Sequence, residues 1–119
     1  MKKRFINWKK VFTVSLFLLP AKFAHAAGAY VHVSDMSQVQ YQLTSDGNVY
    51  FRNLHQFNSQ VTGCCYAFVL NTTTNYGKSA WSVILMKMAS KGNLSMYVSE
   101  TNPPTSGNPA VIDHIGNWQ

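Results

Sequence analysis

The chain has 119 residues, with ten Lys and Arg against four Asp and Glu, a formal charge of +6. Six of those cations (Lys2, Lys3, Arg4, Lys9, Lys10 and Lys22) fall within the first 26 residues, which hold no carboxylate. Without that segment, Arg52, Lys78, Lys87 and Lys91 face Asp35, Asp46, Glu100 and Asp113 and the net charge is zero, which excludes a nucleic-acid partner held by a basic surface.

Residues 1–26 have the layout of a secretory signal. A basic start precedes the apolar stretch Val11 to Pro20, and Ala24-His25-Ala26 gives the small-residue cleavage pattern. The expected product, residues 27–119, is a single small domain, secreted or periplasmic. It contains no apolar run near the roughly 20 residues a membrane span needs. Its aromatic and β-branched content, with few charges, argues against disorder. A domain this small has a thin stability margin, so homo-oligomerisation is one expected source of support.

In chain order, Ala29 to Val33 is β-prone and begins a first strand, interrupted at Asp35 to Ser37. Val39-Gln40-Tyr41-Gln42-Leu43 alternates at period two, the mark of a half-buried strand. Asp46-Gly47 then signals a tight turn, and Val49 to Leu54 completes a hairpin. After a polar connection, the apolar run Cys64 to Leu70 suits a central strand covered on both faces. Trp81, Ile84, Leu85 and Met88 form one apolar stripe at helical spacing. That stripe predicts a helix over about 79–91, with Ser79 as N-cap and Gly92 as stop. Leu94 to Val98 alternates as a strand, Asn102 to Pro109 is a proline-rich loop, and Ala110 to Trp118 supplies the last strand.

Cys64 and Cys65 are adjacent and have no distant partner in the chain. Three states are open: two buried thiols, a vicinal disulfide, or an intermolecular disulfide. Two cysteines are too few for a structural zinc site.

The elements give a mainly β fold with one helix, in the order β-β-β-α-β-β. This is the order of the OB-fold, a five-stranded antiparallel Greek-key barrel; a short β-sandwich carrying one helix is the rival. The series Val49-Tyr50-Phe51, the cysteine strand, Trp81-Ser82-Val83-Ile84-Leu85 with Ala89, and Met96-Tyr97-Val98 resembles the plan of OB-fold B subunits of AB5-type bacterial toxins. The nearest layouts are the pertussis-like and subtilase-cytotoxin-like subunits, and small uncharacterised secreted proteobacterial proteins are also similar. The resemblance lies in order and spacing over most of residues 27–119. It implies a ring-forming, glycan-recognising subunit. The adjacent cysteines depart from that pattern, in which separated cysteines bridge strands, and no sugar-contacting position carries over.

Chemistry for catalysis is sparse. The four carboxylates sit singly, His32, His55 and His114 lack metal-ligand spacing, and the cysteines enter an apolar run that suppresses thiolate formation. The expectation is therefore a non-enzymatic binding domain with no metal and no cofactor. Binding groups cluster at Asn71 to Tyr76 and at Asn117-Trp118, where aromatics adjoin amides and hydroxyls. Asn75, Tyr76 and Trp118 are the candidate ligand contacts, and the expected partner is a glycan or a protein. The alternative function is a periplasmic protein-binding inhibitor or immunity-type factor.

Overall fold

A computed structural model describes residues 27–103 and 107–118. Residues 1–26, and with them the expected leader and its cleavage after Ala26, lie outside the described residues. The elements are β1 (Ala29–Val33), β2 (Tyr41–Leu43), β3 (Asn48–Phe51), β4 (Phe68–Asn71), α1 (Asn75–Ser90), β5 (Leu94–Val98) and β6 (Ala110–Gly116), with short 3-10 turns at Met36–Gln38 and Leu54–Gln56. The strands form one curled mixed sheet, a half-barrel, in the order β1-β5-β6-β4-β3-β2.

A mainly β fold with one helix is therefore present, but the five-stranded, wholly antiparallel reading needs correction. There are six strands, and β4 runs parallel to β6. The extra strand arises where the first strand is interrupted. The Asp35 carboxylate accepts from the backbone N–H and the hydroxyl of Ser37, capping the 3-10 turn that breaks the extended run. One piece, β1, pairs with β5, while the other, β2, pairs with β3. The sheet's two edges are thus consecutive in the chain.

Asn53, nearly fully buried, pins this break. Its Oδ1 accepts from Gln40 N–H at 2.8 Å and its amide donates to the Gln38 carbonyl at 3.1 Å. The β2–β3 hairpin forms around Thr44 to Asn48 as its Asp-Gly step predicts, with Gly47 at φ 89°. Only Val39 of the expected half-buried alternation is covered, because β2 is an edge strand and Tyr41 and Leu43 are exposed.

The run from Cys64 is a strand only from Phe68 onward. Cys64 and Cys65 are joined to each other by a disulfide in an irregular, partly exposed segment, and Tyr66 at φ 59° turns the chain out of an extended path. Backbone bonds from Thr62 and Gly63 to the Thr101 carbonyl hold that segment against the β5–β6 connection.

The helix exists but begins a turn earlier than its apolar stripe suggests. Thr74 is the N-cap, its hydroxyl accepting from Gly77 N–H at 2.9 Å, and Lys91, in the left-handed conformation at φ 58°, ends it one residue before Gly92. Its inward face is Gly77, Ala80 and Ile84, with Trp81 and Met88 partly buried; Leu85 points outward. Trp81 packs edge-on against Tyr41 at 5.0 Å and near Phe51 at 6.4 Å, and Met36 N–H bonds the Gly92 carbonyl. The core thus lies between the helix and the inner face of the sheet, built on Val31, Val33, Phe51, Phe68, Leu70, Met96 and Ile112. Among the described residues no helix is long and apolar enough to cross a membrane.

Candidate functional site

The outer face of β1, β5 and β6 carries side chains that the core does not need. On β1, Val31 and Val33 point inward, so alternation sends Tyr30 and His32 outward. The register aligns Tyr30 with Tyr97 and Tyr97 with His114, making one aromatic row straight across three strands. The next row is His32, Ser95 and Gly116.

A bulge completes the arrangement. Val98 pairs with Ile112 and Tyr97 with His114, leaving Asp113 as the extra residue on β6. A bulge re-aims the side chains beyond it, so Asp113 is exposed and His114 still reaches the aromatic row. The Asp113 Oδ2 lies 2.8 Å from His114 Nδ1. In the neutral ring this contact fixes the proton on Nδ1, leaving Nε2 to accept from the Tyr30 hydroxyl at 3.4 Å.

The second row leaves space. Ser95 is small and buried, and its hydroxyl is 2.6 Å from His32 Nδ1. Gly116 presents no side chain, and the six-membered ring of the Trp118 indole stands where its Cβ would be. Trp118 therefore folds back over the sheet, 5.4 Å from the Tyr30 ring and 6.1 Å from His114. Tyr30 and Tyr97 meet edge-to-face at 4.8 Å, and Tyr97 stacks on His114 at 4.9 Å and 10°. On the free side of β1, the Asn58 amide donates to the Tyr30 carbonyl at 2.7 Å.

The result is an outward platform of four interlocked rings, in which Tyr30 is 41% and Trp118 47% exposed. Edge-to-face contacts fix the rings against one another, so a ligand meets preformed surface and spends little on ordering side chains. Carboxylate, imidazole and phenol groups stand at its rim.

The sequence singled out Asn75, Tyr76 and Trp118, and the structure separates them. Trp118 belongs to the platform. Tyr76 lies at the start of α1, and its hydroxyl donates to the Ile112 carbonyl at 3.0 Å. The ladder between β4 and β6 is limited to Phe68–Val69 against Ala110–Val111, so this phenol takes the first β6 carbonyl past its end. Burial, and secondarily the nearby Asp113 charge, raise the Tyr76 phenol above its ordinary value. Asn75 is exposed beside it. Tyr76 spends its hydroxyl on the β6 backbone, whereas the Trp118 indole packs on the rings of Tyr30 and His114, so the two candidates make different contacts. Tyr30, Tyr97 and His114 were not singled out, because only strand register unites them.

Among the described residues, no group of three His, Cys, Asp or Glu side chains is placed to hold a metal ion. No family model matches the chain, and no curated protein or solved structure matches it either.

Proposed function

We propose that the chain is an exported, non-enzymatic binding domain that recognises a glycan through the Tyr30–Tyr97–His114–Trp118 platform. The observation that carries this reading is the exposure of Tyr30 and Trp118 in a fixed aromatic surface rimmed by hydrogen-bonding groups. A pyranose ring offers an apolar C–H face to an aromatic ring and hydroxyls at its edge. A rigid, half-exposed aromatic surface beside a carboxylate, imidazole and phenol is complementary to both. Its half-exposed rings on an outer sheet face suit binding from the surface better than enclosing a reacting group.

An OB-like barrel is the finer fold reading we attach to this function. Supporting it, β2-β3-β4-β6-β5 are neighbours in that order, the helix lies between the third and fourth of those five strands in the chain, and β1 returns to the free edge of β5. Together with the leader pattern, this agrees with a toxin-B-like, ring-forming subunit.

The test is a glycan array followed by calorimetric titration of the best binder. The expected result is retention of at least one glycan class, with Trp118→Ala and Tyr30→Ala each weakening it by about tenfold or more, the loss of a central aromatic contact. Absence of any glycan signal, with one protein co-purifying and released by the same substitutions, would transfer the platform to a protein partner. Light scattering checks the oligomer.

A further inference from the structure

We infer that the platform selects neutral glycans and rejects acidic ones, an inference that rests on the glycan reading above. It comes from the placement of charge. Among the described residues the cations are Arg52, just after β3, Lys78 and Lys87 in α1, and Lys91 at its end. None stands on β1, β5 or β6. Arg52 is directed to Gln40, its guanidinium donating to the amide oxygen at 3.0 Å on the β2 side of the sheet. The platform's own charge is Asp113, whose side chain is 62% exposed and held beside the rings by His114.

For a bound sugar this has two consequences. A carboxylate is an acceptor only, so Asp113 rewards hydroxyl donors, of which a neutral hexose has several and none of which carries charge. A sialic acid, uronic acid or sulfated sugar brings an anion to the same place. It finds like charge, no guanidinium or ammonium to pair with, and desolvation of two anions together. At about 5 Å separation and an effective dielectric constant midway between protein surface and water, like-charge repulsion is worth about tenfold in affinity.

The decisive experiment titrates the purified protein at pH 8 with a neutral disaccharide such as lactose and with its sialylated and sulfated counterparts, by calorimetry. The neutral sugar is expected to bind at least about tenfold more tightly. Asp113→Asn should narrow the gap to about threefold or less, and Asp113→Lys should bring the acidic sugars to equal or tighter binding. Acidic sugars that bind the unaltered protein as well as the neutral one, and lose affinity in Trp118→Ala, would overturn the charge selection while leaving the glycan reading intact. A preference for neutral sugars that Asp113→Asn leaves unchanged would also overturn it, since another feature would then be selecting. If neither sugar set binds, and a broad glycan array also gives no signal, the glycan reading fails and the charge selection fails with it.

Discussion

The indole of Trp118 fills the space above Gly116: a Cβ placed on that glycine would lie 1.7 Å from the ring. The relationship is local in sequence but depends on the sheet, because Ser95, beside Gly116 on β5, is also small and leaves the shelf open. Gly116→Ala is therefore expected to lift the indole off the sheet. Acrylamide quenching of the Trp118 contribution, taken as the difference from Trp118→Phe, should rise, and platform binding should fall by about tenfold. The free energy of unfolding should hardly change, by about 1 kcal/mol or less, since the ring is half-exposed and the backbone there is ordinary strand. Quenching identical to the unaltered protein would mean the ring tolerates the methyl group.

Such pairs mark how far the sequence speaks for itself. The β2–β3 hairpin is legible because Asp46-Gly47 carries its own geometry, and the helix because Trp81, Ile84 and Met88 repeat at the helical period. The break between β1 and β2 is visible at Asp35 to Ser37, but its consequence is not: nothing local says that two halves of one strand part to opposite edges of a sheet. The cysteine run reads as a strand because its residues are apolar, while the actual path is set by Tyr66 and the ties to Thr101. Trp118 can be picked out by type. Tyr30 and His114, 84 residues apart, become neighbours only through Tyr97 in the strand between them, and no composition or spacing rule reports register. A small-residue pair and a bulge, which complete the platform, are equally silent until strands are paired.

Tyr76 serves the fold by bonding β6 where the β4 ladder has ended. Tyr76→Phe removes that hydrogen bond and leaves the Ile112 carbonyl without this donor, for an expected cost of about 1 kcal/mol in chemical denaturation. The phenol's raised value also sets a sign. A group whose proton is held more tightly in the folded state contributes fully below its unfolded value, and that contribution is lost as pH rises through the folded one. The stability difference between the unaltered protein and Tyr76→Phe should hold up to about pH 10 and shrink above it. A difference that grows on the alkaline side would contradict the assignment.

Asp46 gives the opposite limb. The Thr44 hydroxyl first, and then the Asn48 backbone N–H, hold its carboxyl below the ordinary value of 3.8. Here the folded state favours the ionised form, so the contribution is complete above the unfolded value and disappears as pH falls through the lowered one. Thermal midpoints of the unaltered protein and Asp46→Asn, measured from pH 7 down to pH 2, should differ most at neutrality and converge in acid. Because the group is solvent-exposed, the prediction is the direction of convergence, read as a narrowing gap in midpoint. Two parallel curves would show that the turn draws nothing from the charge.

Two substitutions decide which residue starts the helix. Thr74 accepts from Gly77 N–H, whereas Ser79 is an exposed residue inside the first turns. Thr74→Ala should cost about 1 kcal/mol, the usual loss of an N-cap. Ser79→Ala should be neutral or stabilising by a few tenths, about 0.4 kcal/mol, because alanine is the better helix former away from a cap. Gly77→Ala tests the same turn from inside. Its Cβ would stand 1.7 Å from the Asn71 carbonyl oxygen, a backbone atom that cannot rotate away, so the first turn of α1 must move off the end of β4. The expected loss is about 3 kcal/mol, as for overpacking a rigid site, even though alanine improves helix propensity by about 1 kcal/mol. Urea denaturation of the three variants provides the readout. If Ser79→Ala proves the costly one and Gly77→Ala is tolerated, the helix begins where its apolar stripe alone would place it, and the docking of its first turn on β4 is wrong.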